Sequence, residues 1–276
     1  MRAPRGIGCR SLVATAATML AVAAAVGQPR PLIGNGVKHA RARIEPIAVQ
    51  GGRAQVLVTL QVDSGWHVSW RNPGETGLPT RLSWSLPAGV SVVNETWPVP
   101  VIKHTPVGDT HTLEGDVPWV VEFRVDSASA VDRLIALTVR YGVCRDVCIP
   151  EQLTVQGVLP ARTSPRAFVI PPGLQARLSS TGGVIAARRL APTQLCLDRI
   201  PMSSSGILPE VVADSGAGLD ATLRLIPRGR GSTAGIAAIP AAAVLRDGSR
   251  VLFVRGLSGV SAVLDFRRPA PRCATK

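Results

Sequence analysis

The sequence predicts an all-β protein whose central body is an antiparallel β-sandwich, followed by an irregular or small β C-terminal region. Three observations predict it. Short apolar or alternating runs recur between residues 37 and 160. Turn signals separate the runs, and no window carries a helical period with caps at both ends. Seven or eight short strands at this spacing read as two stacked sheets, and roughly 120 residues suffice to enclose one core between them.

The first run, residues 37–49, stops at Gln50-Gly51-Gly52, a turn signal. The second, residues 53–62, carries the clearest period of two, with Val56, Val58, Leu60 and Val62 alternating against Leu57, Thr59 and Gln61. Residues 66–70 follow, and Trp66 and Trp70, four apart, share one face of a strand. Residues 80–86 and 90–96 are parted by Pro87-Ala88-Gly89. Residues 117–125, 134–141 and 152–159 complete the set. Two segments read as loops: 71–77, and 103–115 with His104, Pro106, Gly108, Asp109, His111 and Glu114. Loops on a rigid β body are where function concentrates. The five tryptophans read as core residues.

The net charge of +13 resembles a nucleic-acid signal until it is mapped along the chain. Residues 28–160 hold 12 Lys and Arg against 12 Asp and Glu, whereas residues 161–276 hold 16 against 6. All five Trp and the single Tyr, Tyr141, lie in the neutral segment. Nucleic-acid binders combine basic side chains with stacking aromatics, and here the two are separated, so no nucleic-acid partner is expected.

Arg2, Arg5 and Arg10 precede an apolar stretch over residues 12–26 that leaves through small residues to Gly27. This pattern predicts a secretory signal peptide over residues 1–27, cleaved after Ala25 or Gly27, with an uncleaved anchor as the alternative. Cys9 would leave with the signal. Export places the rest of the chain in an oxidising compartment, where cysteine pairs form disulfides. Beyond residue 30 no apolar run reaches about 18 residues, which argues against a multi-span membrane protein.

The basic segment 161–276 opens on a linker marked by Pro165, Pro171, Pro172 and Gly173, and breaks again at Gly182-Gly183 and residues 203–206. Residues 239–254 read as a β-hairpin around the Asp247-Gly248 turn. Without Trp or Tyr its core would be thin. A small β subdomain around residues 207–265, a remnant of a larger gene and a largely unfolded tail all stay open. Its dispersed charge reads as a solvated Arg-rich coil rather than a membrane-binding patch. Cys196 and Cys273 are available to each other, but nothing in the sequence pairs them.

The informative segment is Tyr141-Gly142-Val143-Cys144-Arg145-Asp146-Val147-Cys148-Ile149-Pro150-Glu151. In an extended strand the Cα atoms of Cys144 and Cys148 would lie roughly 13 Å apart, too far for a disulfide. If they pair, Arg145-Asp146-Val147 must turn back as a hairpin tip or bulge. A bond closing so short a loop contributes only about 2 kcal/mol through loop entropy, and strained or exposed disulfides are the exchangeable ones. From chemistry alone redox exchange, a structural disulfide and a metal site all remain open. None of His39, His67, His104 and His111 has a ligand-type spacing to the pair, and Cu(I), which accepts two thiolates, is the least implausible metal.

Four stretches in order resemble the periplasmic N-terminal domain of the thiol:disulfide interchange protein DsbD and its ScsB-like relatives. They are residues 66–80 (WHVSWRNPGETGLPT), Trp97-Pro98-Val99-Pro100, Glu114-Gly115-Asp116-Val117, and residues 143–151 (VCRDVCIPE). The resemblance implies an immunoglobulin-like sandwich over residues 37–160 with Cys144 and Cys148 as the exchange cysteines. It implies a periplasmic electron relay without a cofactor or metal. Its partners would be a membrane-embedded thiol:disulfide transporter domain and thioredoxin-like periplasmic proteins, serving cytochrome c maturation or disulfide isomerisation. The module would act as a protein-disulfide reductase without the family's membrane and thioredoxin-like domains, which this chain does not display. The segment 103–114 stands where the family has a cap loop shielding the pair, though Leu113 and His111 replace aromatic residues common there. The alternatives are a periplasmic adaptor whose disulfide is purely structural, and a Cu(I)-handling protein.

Overall fold

The computed structural model of the chain describes residues 38–126, 131–161, 169–201, 207–214, 222–229, 232–239, 243 and 245–273. The expected signal segment 1–27, Pro165 and the break at 203–206 lie outside the described residues. The N-terminal body consists of strands β1 (Ala40–Gln50), β2 (Arg53–Val62), β3 (His67–Gly74), β4 (Arg81–Ser85), β5 (Val90–Thr96), β6 (Val101–Thr105), β7 (Gly108–Glu114), β8 (Asp116–Val125), β9 (Arg133–Cys144) and β10 (Cys148–Leu159). One sheet runs β1-β2-β8-β5; the other runs β10-β9-β3-β7-β6, with β4 also paired to β9. All of these pairings are antiparallel. The two sheets form the immunoglobulin-like sandwich that the sequence leads one to expect.

The turn from β1 to β2 needs Gly51 and Gly52, because both have positive φ (59° and 74°), the geometry of a two-residue hairpin turn. Alternate residues of each strand then meet in one core. Val56, Val58 and Leu60 of β2 and Trp119, Val121 and Phe123 of β8 face Val68, Trp70, Leu137, Val139 and Val143 of the other sheet. Trp97 stands edge-on between Trp70 (6.3 Å, 87°) and Trp119 (5.6 Å, 82°), the arrangement ring quadrupoles favour. The buried Trp70 indole N–H donates to the Pro98 carbonyl at 2.9 Å. Trp66 is half-buried at the margin of this core.

The segments read as loops prove to be partly strand. Residues 71–74 continue β3, and residues 103–115 contain most of β6 and β7. Their polarity has a structural cause. β6 is a sheet edge, so Lys103, His104 and Thr105 meet solvent and show no core period. The two strands β3 and β7 also part and rejoin: Ser69 pairs with Thr112 and Gly74 with Thr110, so residues 70–73 bulge opposite His111 alone. The bulge turns Trp70 into the core and carries Arg71 and Asn72 towards the C-terminal body.

That body begins with a single helical turn, α1 (Pro172–Gln175), and continues through β11 (Ser180–Ala191), β12 (Gln194–Asp198), β13 (Glu210–Ala213), β14 (Ile226–Pro227), β15 (Gly235–Ala238), β16 (Arg250–Arg255), β17 (Ser258–Asp265) and a 3-10 turn, η1 (Pro271–Cys273). Its strands form one sheet in the order β13-β16-β17-β11-β12-β15-β14, in which only β11 and β17 run parallel. Period two in β13 and β16 serves two cores. Val211, Ala213, Val251 and Phe253 join a second core with Ile185, Leu195 and Leu264, whereas Val212, Leu252 and Val254 enter the core of the sandwich. Borrowing the tryptophan-rich core compensates for the scarcity of aromatics in this body.

Among the described residues, the expected hairpin over residues 239–254 is not formed. Strand β16 pairs with β13 and, across Gly256, with β17. The Asp247-Gly248 pair does turn the chain, but its carboxylate accepts the Phe266 N–H at 2.9 Å, which fastens the turn to the end of β17. Residues 240–242 and 244 lie outside the described residues.

The arginines are not merely solvated coil. Arg189 donates to the Pro192 carbonyl (2.9 Å), Arg268 to that of Val184 (2.9 Å), and Arg272 pairs with the fully buried Asp198 (3.0 Å). Cys273 of η1 is bonded to Cys196 of β12, and both are fully buried. Among the described residues no helix is long and apolar enough to cross a membrane.

Candidate functional site

Strands β9 and β10 form a long hairpin whose register runs from Arg133 opposite Leu159 to Cys144 opposite Cys148. Arg145-Asp146-Val147 closes the tip, with Arg145 N–H donating to the Val147 carbonyl at 3.3 Å. The reversal brings the two Cα atoms to 4.1 Å, and the sulfurs are bonded. The two cysteines are unequal: Cys144 is 4% exposed, whereas Cys148 is open to solvent. The exposed member of the pair is therefore Cys148.

The surroundings of the tip are built from the motif residues. Arg145 lies over the Trp66 ring at 4.9 Å, and Trp66 in turn stacks at a tilt on His39 at 4.0 Å. Glu151 accepts from the Tyr141 hydroxyl (2.9 Å) and pairs with the His39 ring (2.6 Å), which ties the approach of β1 to the base of the hairpin tip. Burial, helped by the Glu151 contact, pushes the Tyr141 phenol well above its ordinary range.

Residues 75–79 fold over the face of the sheet that carries the sulfurs. Gly77 sits where a Cβ would lie 2.6 Å from Ser69 Oγ, and Leu78 covers Gly142, where an added Cβ would lie 2.6 Å from the Leu78 Cβ. The Thr80 hydroxyl donates to the Ser69 carbonyl at 2.5 Å, and the Glu75 carboxylate accepts the Asp109 N–H at 2.8 Å. A pocket of about 140 Å³ remains beside the disulfide, lined by His67, Ser69, Thr76, Gly77, Thr110, Thr112 and the hairpin tip 144–148.

The segment 103–114, expected as a shield, contributes only Thr110 and Thr112 to this pocket. Strand parity explains why: the alternate side chains turn away, Leu113 into the core and His111 into the junction with the C-terminal body. The His111 ring donates to the Asn72 carbonyl (2.9 Å) and contacts the Thr222 hydroxyl (2.9 Å), both fully inside the protein. His104 pairs with Asp109 (2.6 Å) and Glu210 (3.0 Å). These histidines hold the two bodies together.

His67 is a residue to which sequence reasoning gave no role beyond its lack of a ligand-type spacing to the cysteines. It is opposite Cys144 in one direction and Glu114 in the other. Burial lowers its pKa from the ordinary value, the Lys103 ammonium adds to the effect and Glu114 opposes it. Its place in the Trp66-His67 motif was visible, but the pairing of β3 with β9 was not. Among the described residues no group of three or more His, Cys, Asp and Glu side chains is arranged to hold a metal ion.

Residues 37–160 match the family model described as thiol:disulfide interchange protein DsbD, N-terminal. No curated protein matches the chain. Among solved structures, the N-terminal periplasmic domain of ScsB from Proteus mirabilis superposes with a TM-score of 0.58 at 18% identity, covering 83% of this chain and 95% of that one. The likeness is one of fold, and it extends past residue 160 into the C-terminal body. The GAE domain of GGA2p from Saccharomyces cerevisiae reaches only 0.31 at 11% identity, covering 46% of this chain and 95% of that one, too little to bear on the argument.

Proposed function

Because residues 37–160 are a DsbD/ScsB-like N-terminal domain, we propose that the chain is a thiol-disulfide exchange module that passes reducing equivalents to other exported proteins. The observation that carries the reading is the bonded pair at a hairpin tip, with Cys148 exposed and Cys144 buried. A thiolate of a reduced donor attacks Sγ of Cys148, and Cys144 leaves as a thiolate and takes up a proton. The donor's second thiolate then attacks its own sulfur in the mixed disulfide and frees Cys148. The pair gains two electrons and two protons, and the reverse sequence delivers them to an oxidised protein.

Loop entropy supports exchange over a purely stapling role. It assigns about 2 kcal/mol to the Cys144–Cys148 bond against about 4.5 kcal/mol to Cys196–Cys273, which closes a far longer loop. The staple and the exchange site are therefore different bonds. The donor is a membrane-embedded thiol:disulfide transporter domain, the acceptors are thioredoxin-like proteins of the periplasm, and the signal segment 1–27 delivers the chain there. Cytochrome c maturation and disulfide isomerisation are the processes such acceptors serve.

The test is a redox titration of the full chain with the Cys144–Cys148 pair followed by alkylation and mass spectrometry. A potential between about −180 and −270 mV is expected, and one below about −300 mV would make the bond structural and overturn the reading. In the same preparation Cys144→Ser, which keeps the exposed sulfur, is expected to trap mixed disulfides with oxidised thioredoxin-like proteins, and Cys148→Ser is not.

A further inference from the structure

The pairing of β3 with β9 places His67 directly opposite Cys144. Directly opposed residues in an antiparallel pair share a face, with Cβ atoms about 4.5–5.5 Å apart. The same transverse row continues to Cys148 on one side and Glu114 on the other. Glu114 is ion-paired with Lys103 at 2.5 Å. The row thus sets an imidazole between the buried sulfur and an exposed carboxylate. His67 lines the pocket beside the disulfide and also a second, larger one of about 460 Å³ bounded by Asp63, Lys103 and Glu114.

A thiol that is 4% exposed resists ionisation, because burial disfavours its charged form. The exposed Cys148 does not share this difficulty. Once the pair is reduced, Cys144 cannot attack without giving up its proton, and His67 stands beside it. We propose that His67 is the proton acceptor for the Cys144 thiol in the step that re-forms the Cys144–Cys148 disulfide. This assignment rests on the exchange reading given above.

In that step Cys148 is already joined to a sulfur of an oxidised partner protein. The Cys144 S–H proton passes to a ring nitrogen of His67. The Cys144 thiolate attacks Sγ of Cys148, the Cys144–Cys148 bond forms, and the bond to the partner breaks with its electron pair leaving as the partner's thiolate. The imidazolium returns its proton to solvent through the pocket bounded by Asp63, Lys103 and Glu114. In the loading direction the same ring protonates Cys144 as it departs. The charged and titratable groups facing His67 are Cys144, Arg145, Asp146 and Cys148 from the hairpin tip, Glu114 from β7, Lys103 from β6 and Asp63 from the β2–β3 turn. Burial and Lys103 together favour the neutral ring, the form able to accept a proton at neutral pH.

The test mixes the reduced full chain with one equivalent of the aromatic disulfide dithiobis(nitrobenzoate) and follows release of the coloured thiolate. The first phase reports attack by Cys148 and the second reports closure by Cys144. His67→Gln is expected to slow the second phase on the order of 100-fold and leave the first unchanged. In His67→Ala, added imidazole is expected to restore the second phase, which packing alone would not permit. A second phase at the wild-type rate and pH profile in His67→Gln overturns the proposal, as does a slowed phase that imidazole leaves untouched. The wild-type chain gives an independent measure if the variants fold poorly. The pH midpoint of its second phase is expected to coincide with the His67 ring titration followed by NMR, and midpoints about one pH unit or more apart overturn the assignment. The reagent is not a biological partner, so the two phases report proton transfer whatever the reduction potential of the pair. A relay potential without a His67 effect removes only this proposal.

Discussion

The side-chain amide of Asn72 donates to the carbonyl of Ala213 at 2.8 Å, across 141 residues of chain. The same side chain accepts the Gly74 N–H at 3.1 Å, so one buried amide shapes the β3 bulge and pins the C-terminal body to it. Arg71, the preceding residue, pairs with Asp214 at 2.9 Å and lies over the rings of Trp70 and Trp97. The junction is completed by Arg177, which donates to the carbonyls of Asp116 and Glu114. The Arg-Asn-Pro-Gly stretch is thus an anchor between bodies, and the cover of the disulfide begins only at Glu75.

Replacing Asn72 by Ala leaves the Ala213 carbonyl and the Gly74 N–H buried without that partner. The expected cost is roughly 1–3 kcal/mol, the penalty for unmade buried hydrogen bonds. Urea unfolding followed by tryptophan fluorescence is expected to show a lower midpoint. An unchanged midpoint would mean that this amide contributes nothing to the junction.

Gly142→Ala places a methyl group where Leu78 already sits. Overpacking of this kind costs about 1–3 kcal/mol, and here the surface loop 75–79 is the part able to yield. Lifting it opens the pocket that Thr76 and Gly77 line beside the disulfide, so the bond is expected to be reduced faster by dithiothreitol, along with the loss of stability. A second change, Leu78→Gly, removes the opposing Cβ and is expected to restore the stability lost to the clash. Persistence of the full loss in the double variant would show that the clash lies elsewhere.

Alkaline stability reports on Tyr141. Its phenol is neutral when it donates to Glu151, and its folded pKa is raised above the ordinary value. The contribution is fully present below about pH 10 and is lost as pH rises further, because the unfolded chain releases this proton first. Denaturant midpoints measured between pH 9 and 11 are expected to fall more steeply for the wild type than for Tyr141→Phe. Parallel curves for the two proteins would remove Tyr141 from the alkaline transition.

Strands β2 and β5 were legible to the residue, because a clear turn signal precedes each and, in β2, a period of two marks the run. Strands β6 and β7 were not, since an edge hairpin that faces solvent and a junction carries little apolar period. The Asp247-Gly248 turn was visible, but its partner strand was not, because a turn signal says that the chain bends and not which strands lie beside it afterwards. The pairing of Cys196 with Cys273, 77 residues apart, left no trace in spacing.

At the candidate site, the spacing of Cys144 and Cys148 already required Arg145-Asp146-Val147 to reverse the chain if the two were to bond. The recurring short runs and turn signals of the neutral segment settled a β body, and four short motifs settled its likeness to a family. Tertiary structure alone decided that Cys148 faces solvent while Cys144 does not, that Leu78 rather than an aromatic side chain covers the adjoining backbone, and that His67 lies opposite the buried sulfur. The reason is geometric. Alternation along one strand is a local property that its own residues carry, whereas the neighbours across a sheet depend on register between distant segments, and a shift by one residue would have turned each of these side chains to the other face.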